Sequence, residues 1–172
     1  YKYHFLLHFI IFLWGFTGIL GKLIHLDALY IVWYRVGIAS FVILLYLLFV
    51  KSKLSIDKKH LGKIALVGLV VAAHWVTFYT SIQWSTASLG ILCLSTTTLH
   101  VAWLEPLIMK KKFSWVEFSL GLIVVAGIYF VSGDFSSQEY WAVLMGLISA
   151  FLAGFFAVSN AKLVEDIPST HI

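Results

Sequence analysis

The stretch LYIVWYRVGIASFVILLYLLFV (residues 29–50) decides the fold class. It carries one charge, Arg35, and is framed by Asp27 and Lys51. About twenty apolar residues in an α-helix, rising 1.5 Å each, cross the roughly 30 Å hydrocarbon core of a bilayer. Lipid satisfies no backbone N–H or C=O, so such a run must close its hydrogen bonds within itself, as a helix does. The rest of the chain has the same character. Of its 172 residues, 61% are hydrophobic and 12% charged, whereas a soluble domain is about 25% charged. The formal charge of +4 comes from lysines clustered between apolar runs. Such clusters suit lipid headgroups and topology rather than nucleic acid.

Outward from residues 29–50, further apolar windows cover residues 4–24, 61–84, 87–109, 116–131 and 140–164, so six spanning helices are expected in an all-α polytopic bundle. The first is too long for the apolar region of a signal peptide, and no small-residue cleavage site follows it, so it is expected to be retained. The chain opens on Tyr1 and ends at Ile172 just past a span, and is expected to be a piece of a longer protein. Short loops rich in Lys and Arg stay in the cytoplasm. Lys51, Lys53, Lys58, Lys59 and Lys63 occupy one loop and Lys110, Lys111 and Lys112 another. With Lys2 and Lys162 on the same side, Lys22 stands alone opposite, beside Asp27, Asp134 and Glu139. The N-terminus is therefore predicted to be cytoplasmic. Trp33, Trp84, Trp115 and Trp141 fall near span ends, where an amphipathic ring suits the headgroup layer.

The last span echoes the first. Phe151-Leu-Ala-Gly154-Phe155 answers Phe12-Leu-Trp-Gly15-Phe16, and Lys162-Leu-Val164 answers Lys22-Leu-Ile24 after a one-residue slip. Five spans separate the copies, and an odd number forces the second to cross in the opposite sense. Inverted repeats are how many secondary transporters build two halves around one central site. Residues 1–133 are thus expected to form one five-helix repeat, and residues 134–172 to begin a second.

Trp14-Gly15, Tyr34-Arg35 and Gly121-Leu-Ile-Val-Val-Ala-Gly127, in this order and with a short basic loop before the last, resemble the EamA-type drug/metabolite transporters. The resemblance implies ten helices in two inverted five-helix repeats around a central cavity, and transport of amino acids, metabolites or drugs without ATP. The chain departs from the family pattern within the fourth span. The usual mid-helix proline is replaced by Ser95-Thr96-Thr97-Thr98, and the usual Glu-Arg after the span by Lys112-Phe113, while Glu105-Pro106 sits nearer the helix end. The resemblance therefore names no substrate.

Arg35 lies about six residues into its span, roughly 9 Å below the outer end. A charge at that depth should face a cavity or a partner, either as an anion contact or as a structural contact to carbonyls or headgroups. Glu105 lies roughly 15 Å deeper, too far for an Arg35 salt bridge, and is expected to meet the cytoplasmic lysines. His74, Thr77 and Ser81 recur on one face of the third span, and Cys93, Thr96, Thr97 and His100 on one face of the fourth. Lipid offers such groups no partner, so the two faces are expected to line a shared watery cavity. His74 and His100 can carry protons near neutral pH, or equally serve as hydrogen-bonded packing residues. Trp14, Trp75, Tyr79 and Trp103 are candidates for an aromatic cavity wall, and Gln83 is a weaker rim candidate. Ala142, Gly146, Ala150 and Gly154 form a small-residue stripe, which is a packing signal. His4 and His8 share a helix face without a carboxylate or cysteine to complete a metal site. The lone Cys93 excludes a disulfide framework.

The expected function is a secondary transporter of small metabolites or amino-acid-like solutes in the bacterial inner membrane, with Trp14, Arg35, His74, Trp75, Tyr79, Thr96, Thr97 and His100 at the solute site. His74, His100 and Glu105 are candidates for coupling or gating, with protons as the candidate coupling ion. No cofactor, metal, catalytic residue or nucleic-acid partner is expected. The alternative is a membrane-embedded enzyme using His74, His100 and Glu105 on a lipid, and a structural subunit is a third reading.

Overall fold

The computed structural model describes residues 2–51, 58–131, 136–165 and 167. These form helices α1 (Lys2–Leu23), α2 (Ala28–Phe49), α3 (Lys58–Trp84), α4 (Ala87–Ser95), α5 (Thr97–Met109), α6 (Trp115–Val131) and α7 (Ser137–Leu163), with no strand among the described residues. The spans Tyr3–Leu23, Ala28–Phe49, Lys58–Trp84, Ala87–Met109 and Ser137–Leu163 are long and apolar enough to cross a membrane, and Trp115–Phe130 is a shorter apolar helix. Lys53 and Asp134, used above as topological markers, and the expected repeat boundary at 133/134 lie outside the described residues.

The fourth span was expected to be one helix and is two, α4 and α5, meeting at Thr96. The cause is local. Four successive hydroxyls turn back on carbonyls three residues earlier: Ser95 on Leu92 (2.5 Å), Thr96 on Cys93 (2.7 Å), Thr97 on Leu94 (2.6 Å) and Thr98 on Ser95 (3.1 Å). The Thr96 amide likewise takes the Cys93 carbonyl at 3.1 Å. Hydroxyls that compete for helix carbonyls in this way bend or break the helix.

Other boundaries follow from capping. Thr86 accepts the Leu89 amide at the start of α4, and Ser136 and Glu139 form a reciprocal capping box at the start of α7. Lys51 and Lys110, just past the ends of α2 and α5, take left-handed backbone conformations usually given to glycine. Each places a cation near the negative end of a helix dipole.

Helices α3 and α7 pack antiparallel along their lengths. At one end Val67 clusters with Leu163 and Ile167, and at the other Trp84 faces Trp141 across an open pocket. The buried residues of α7 include Ala142, Gly146, Ser149, Ala150, Ala153 and Gly154, so the small-residue stripe is the contact surface. A Cβ on Gly146 would stand 2.6 Å from the Cys93 Cβ and 2.9 Å from the Ser81 Oγ. The end of α1 lies beside the end of α3, where Lys22 reaches the Ile82, Gln83 and Ser85 carbonyls, so the two helices run in the same sense and opposite to α7; the Tyr79 ring lies against Gly21, and Ile91 of α4 against Gly18. Those two glycines are the only fully buried positions of α1 among its described side chains.

Candidate functional site

The sequence-named residues divide between two faces of α3. On one face, Arg35 from α2 reaches over Trp75, with its Cζ 4.1 Å from the ring centroid, and its Nη1 donates to the Tyr79 hydroxyl at 2.6 Å. Trp75 and Tyr79 are one helical turn apart and stack at 5.7 Å, which makes a flat platform for the guanidinium. Tyr79 is buried with Ala28, Ile31 and Val32 of α2. Arg35 and Tyr79 border a cavity of about 270 Å³ between α1, α2 and α3, walled elsewhere by side chains such as Leu20, Ile24 and Ile38. No carboxylate pairs with Arg35 among the described residues.

The end of this cavity near the C-terminus of α3 is tied down. The Lys22 ammonium donates to the carbonyls of Ile82 (3.2 Å), Gln83 (3.1 Å) and Ser85 (2.6 Å), satisfying the orphan carbonyls at the end of α3. Gln83 returns a bond from its Nε2 to the Leu26 carbonyl at 2.7 Å. Sequence reasoning treated Lys22 only as a topological marker. A cation one turn from a helix end, opposite a second helix terminus, was the available signal.

On the other face of α3, His74 is buried against α7. Its Nδ1 lies 2.9 Å from both the carbonyl and the hydroxyl of Ser149, and the Ser149 hydroxyl donates to the His74 carbonyl at 3.1 Å. With that hydroxyl proton committed, and a carbonyl able only to accept, Nδ1 is the donor to Ser149. Ser149 was not anticipated, although it lies seven residues after Ala142, two helical turns along the small-residue stripe.

The remaining candidates are dispersed. Trp14 is 70% exposed and does not line the Arg35 cavity. Thr96 and Thr97 satisfy their hydroxyls on their own helix, as Thr77 does on the Ala73 and His74 carbonyls. For these three hydroxyls the backbone supplies the partner that lipid does not, whereas the buried Ser81 Oγ has no hydrogen-bond partner among the described residues. Cys93 is fully buried beneath Gly146 rather than facing a cavity. His100 packs on Phe151 and Trp103 at 5.5 and 6.4 Å, and its buried Nδ1 has no hydrogen-bond partner among the described residues. Glu105 meets Lys111 at 2.6 Å at the opposite end of the bundle. That hydrogen bond, followed by the carboxylate's charge, holds the Lys111 ammonium above its ordinary value. His74, His100 and Glu105 thus have three separate sets of partners and form no acid–base constellation. No group of His, Cys, Asp and Glu suited to a metal ion occurs among the described residues.

Comparison with known families matches residues 2–133 to the EamA-like transporter family. No curated protein and no solved structure matches the chain.

Proposed function

Because the chain belongs to the EamA-like transporter family, we propose that it is a secondary transporter of the bacterial inner membrane, moving a small solute by alternating access without ATP. Its N-terminus is cytoplasmic, residues 1–133 form one repeat, and α7 opens the second, inverted one. The solute occupies the cavity between α1, α2 and α3, where Arg35 and Tyr79 contact it, with Trp75 backing the guanidinium. The observation that carries this reading is Arg35 itself. It is an arginine well inside an apolar span, laid on an aromatic platform at a cavity wall and without a carboxylate partner. Such a charge is costly in a membrane unless it meets solute or water.

Of the two histidines, His100 is better placed to exchange a proton, since Nδ1 of His74 is engaged by Ser149 while Nδ1 of His100 has no partner among the described residues. Replacing His100 by Gln should flatten the pH dependence of transport.

The test is uptake and efflux by the full-length protein in proteoliposomes. Arg35→Ala should lower transport at least tenfold, about 1.4 kcal/mol or more at the level of solute interaction, while helix content and monodispersity stay unchanged. Unaltered kinetics would remove Arg35 from the pathway. For orientation, Lys112→Cys should resist an impermeant thiol reagent in intact cells and Ser136→Cys should react, and the reverse pattern overturns the assigned topology.

A further inference from the structure

We infer that the solute presents a compact anionic group of carboxylate type to Arg35 and Tyr79, on a small apolar body. This rests on the placement of the solute in the α1–α2–α3 cavity and adds its chemical class. A guanidinium has five N–H donors in one plane and accepts nothing. One donor is spent on the Tyr79 oxygen, and the flat face is covered by Trp75. The remaining donors point along the edge of the plane, the geometry that grips two carboxylate oxygens. Tyr79 accepts from Arg35, so its own O–H proton is left to donate in the same direction. The two side chains together present donors, and the guest they complement is acceptor-only.

Charge points the same way. Arg35 is the only charged residue on the cavity wall, and besides Tyr79 the polar side chains there are Thr17 and Tyr34. An ammonium group would find no carboxylate there, whereas an anion supplies the missing countercharge in a medium that screens poorly. The rest of the wall is apolar, with Leu20, Ile24 and Ile38 among it. At about 270 Å³ the cavity lies just below the usual range for ligand sites, which starts near 300 Å³. A small organic acid fits that description better than a zwitterion or a sugar. A phosphate of a lipid headgroup has related acceptor chemistry, and the experiment separates the two sources.

Full-length protein in nanodiscs of phosphatidylcholine is titrated with benzoate, benzamide and benzylamine, matched in body and different in charge. Benzoate should bind at least tenfold more tightly than either other probe. Arg35→Gln should erase that preference, and Tyr79→Phe, which keeps the ring but removes the donor, should weaken benzoate several-fold while sparing benzamide. Equal binding of benzoate and benzamide, including no binding of any probe, overturns the inference, as does a preference that survives Arg35→Gln. A parallel titration adds phosphatidylglycerol. If that lipid displaces benzoate from wild type, the anionic group belongs to a headgroup and the solute assignment falls; if benzoate binding persists, it stands. Proteoliposome flux keeps the two readings apart. Benzoate bound but never moved refutes transport through this cavity and leaves the anion site, while movement of only the neutral or cationic probe refutes the anion and leaves transport.

Discussion

Helix α7 and helix α1 are both long and apolar and carry echoing sequences, yet the fold holds them very differently. Of an 18-residue apolar stretch of α7, 39% is buried, against 11% for α1. Small residues bring α7 onto α3, α4 and α5, with Gly146 over Cys93, Gly154 over His100, and Ser149 bonded to His74. Helix α1 touches α4 through Gly18 and α3 through Gly21, and is tied by Lys22 at its C-terminal end. Helices gain little from the hydrophobic effect inside lipid, so close packing and interhelical hydrogen bonds decide which contacts are firm. The α3–α7 contact is extensive, whereas α1 and α2 are held by a few localised contacts at Gly18, Gly21, Lys22 and Arg35 and leave most of their surface unburied. The Arg35 cavity lies on the loosely held side, where a change of shape costs less.

The sharpest way to break this contrast is Gly146→Val. Its Cβ would stand 2.6 Å from the Cys93 Cβ, and neither helix can yield without losing its neighbours. A loss of about 1–3 kcal/mol or more is expected, measured as thermal or denaturant unfolding in detergent. The same variant should make Cys93, otherwise shielded, reactive toward thiol reagents. A stable Gly146→Val protein with an unreactive thiol would show that α7 is not held as described.

Lys22→Met removes the ammonium from three carbonyls at the end of α3. The site is exposed and screened, so a loss near 1 kcal/mol is expected. More informative, Thr17→Cys in the cavity should become easier to label from outside in the Lys22→Met background. Labelling that does not change would mean that Lys22 does not close the cavity.

Ser149→Ala deletes the hydroxyl that reciprocates with His74 while leaving its backbone carbonyl for Nδ1. Interhelical hydrogen bonds in membranes average about 0.6 kcal/mol, and a loss of that order is expected. By contrast Gly37→Ala on α2, where an added Cβ meets nothing within 4 Å, should be neutral or stabilising by up to about 1 kcal/mol. A cost at Gly37 similar to that at Gly146 would erase the distinction between the two sides.

The smallest effect is expected at the Glu105–Lys111 pair, on the surface of the bundle's other end. Because Lys111 is held above its ordinary value near 10.5, whatever the pair contributes is fully present below that value and fades only as pH rises through the raised one. The difference in thermal midpoint between wild type and Lys111→Gln should therefore be flat from pH 6 to 9 and shrink with added salt. A difference that changes across that interval would assign the effect to another group.

Periodicity and apolar length placed the helices well, because a membrane span must be long and must close its own hydrogen bonds. The break at Thr96 escaped that reading, since hydropathy does not register how four neighbouring hydroxyls compete for carbonyls. The residues were nonetheless singled out as standing where the family's proline is usual. A proline breaks a helix by withholding an amide, and here the hydroxyls at 95–98 produce a break through the carbonyls. The small-residue stripe on α7 was legible as packing. Its partner helices were not, because spacing along one helix is silent about what lies across from it.

Composition and order alone determined that the chain is an all-α membrane protein, that it resembles the EamA-type transporters, and that Arg35 is its most conspicuous intramembrane charge. Those are properties of single segments, set by transfer from water to lipid and by residue spacing. Only the tertiary structure decided that Arg35 joins Trp75 and Tyr79, that His74 turns away from them to Ser149, and that Glu105 belongs with Lys111 at the far end. The reason is rotational. Residues adjacent in sequence, such as His74 and Trp75, differ by about 100° around a helix, and which neighbour each meets depends on how other helices dock against the two sides.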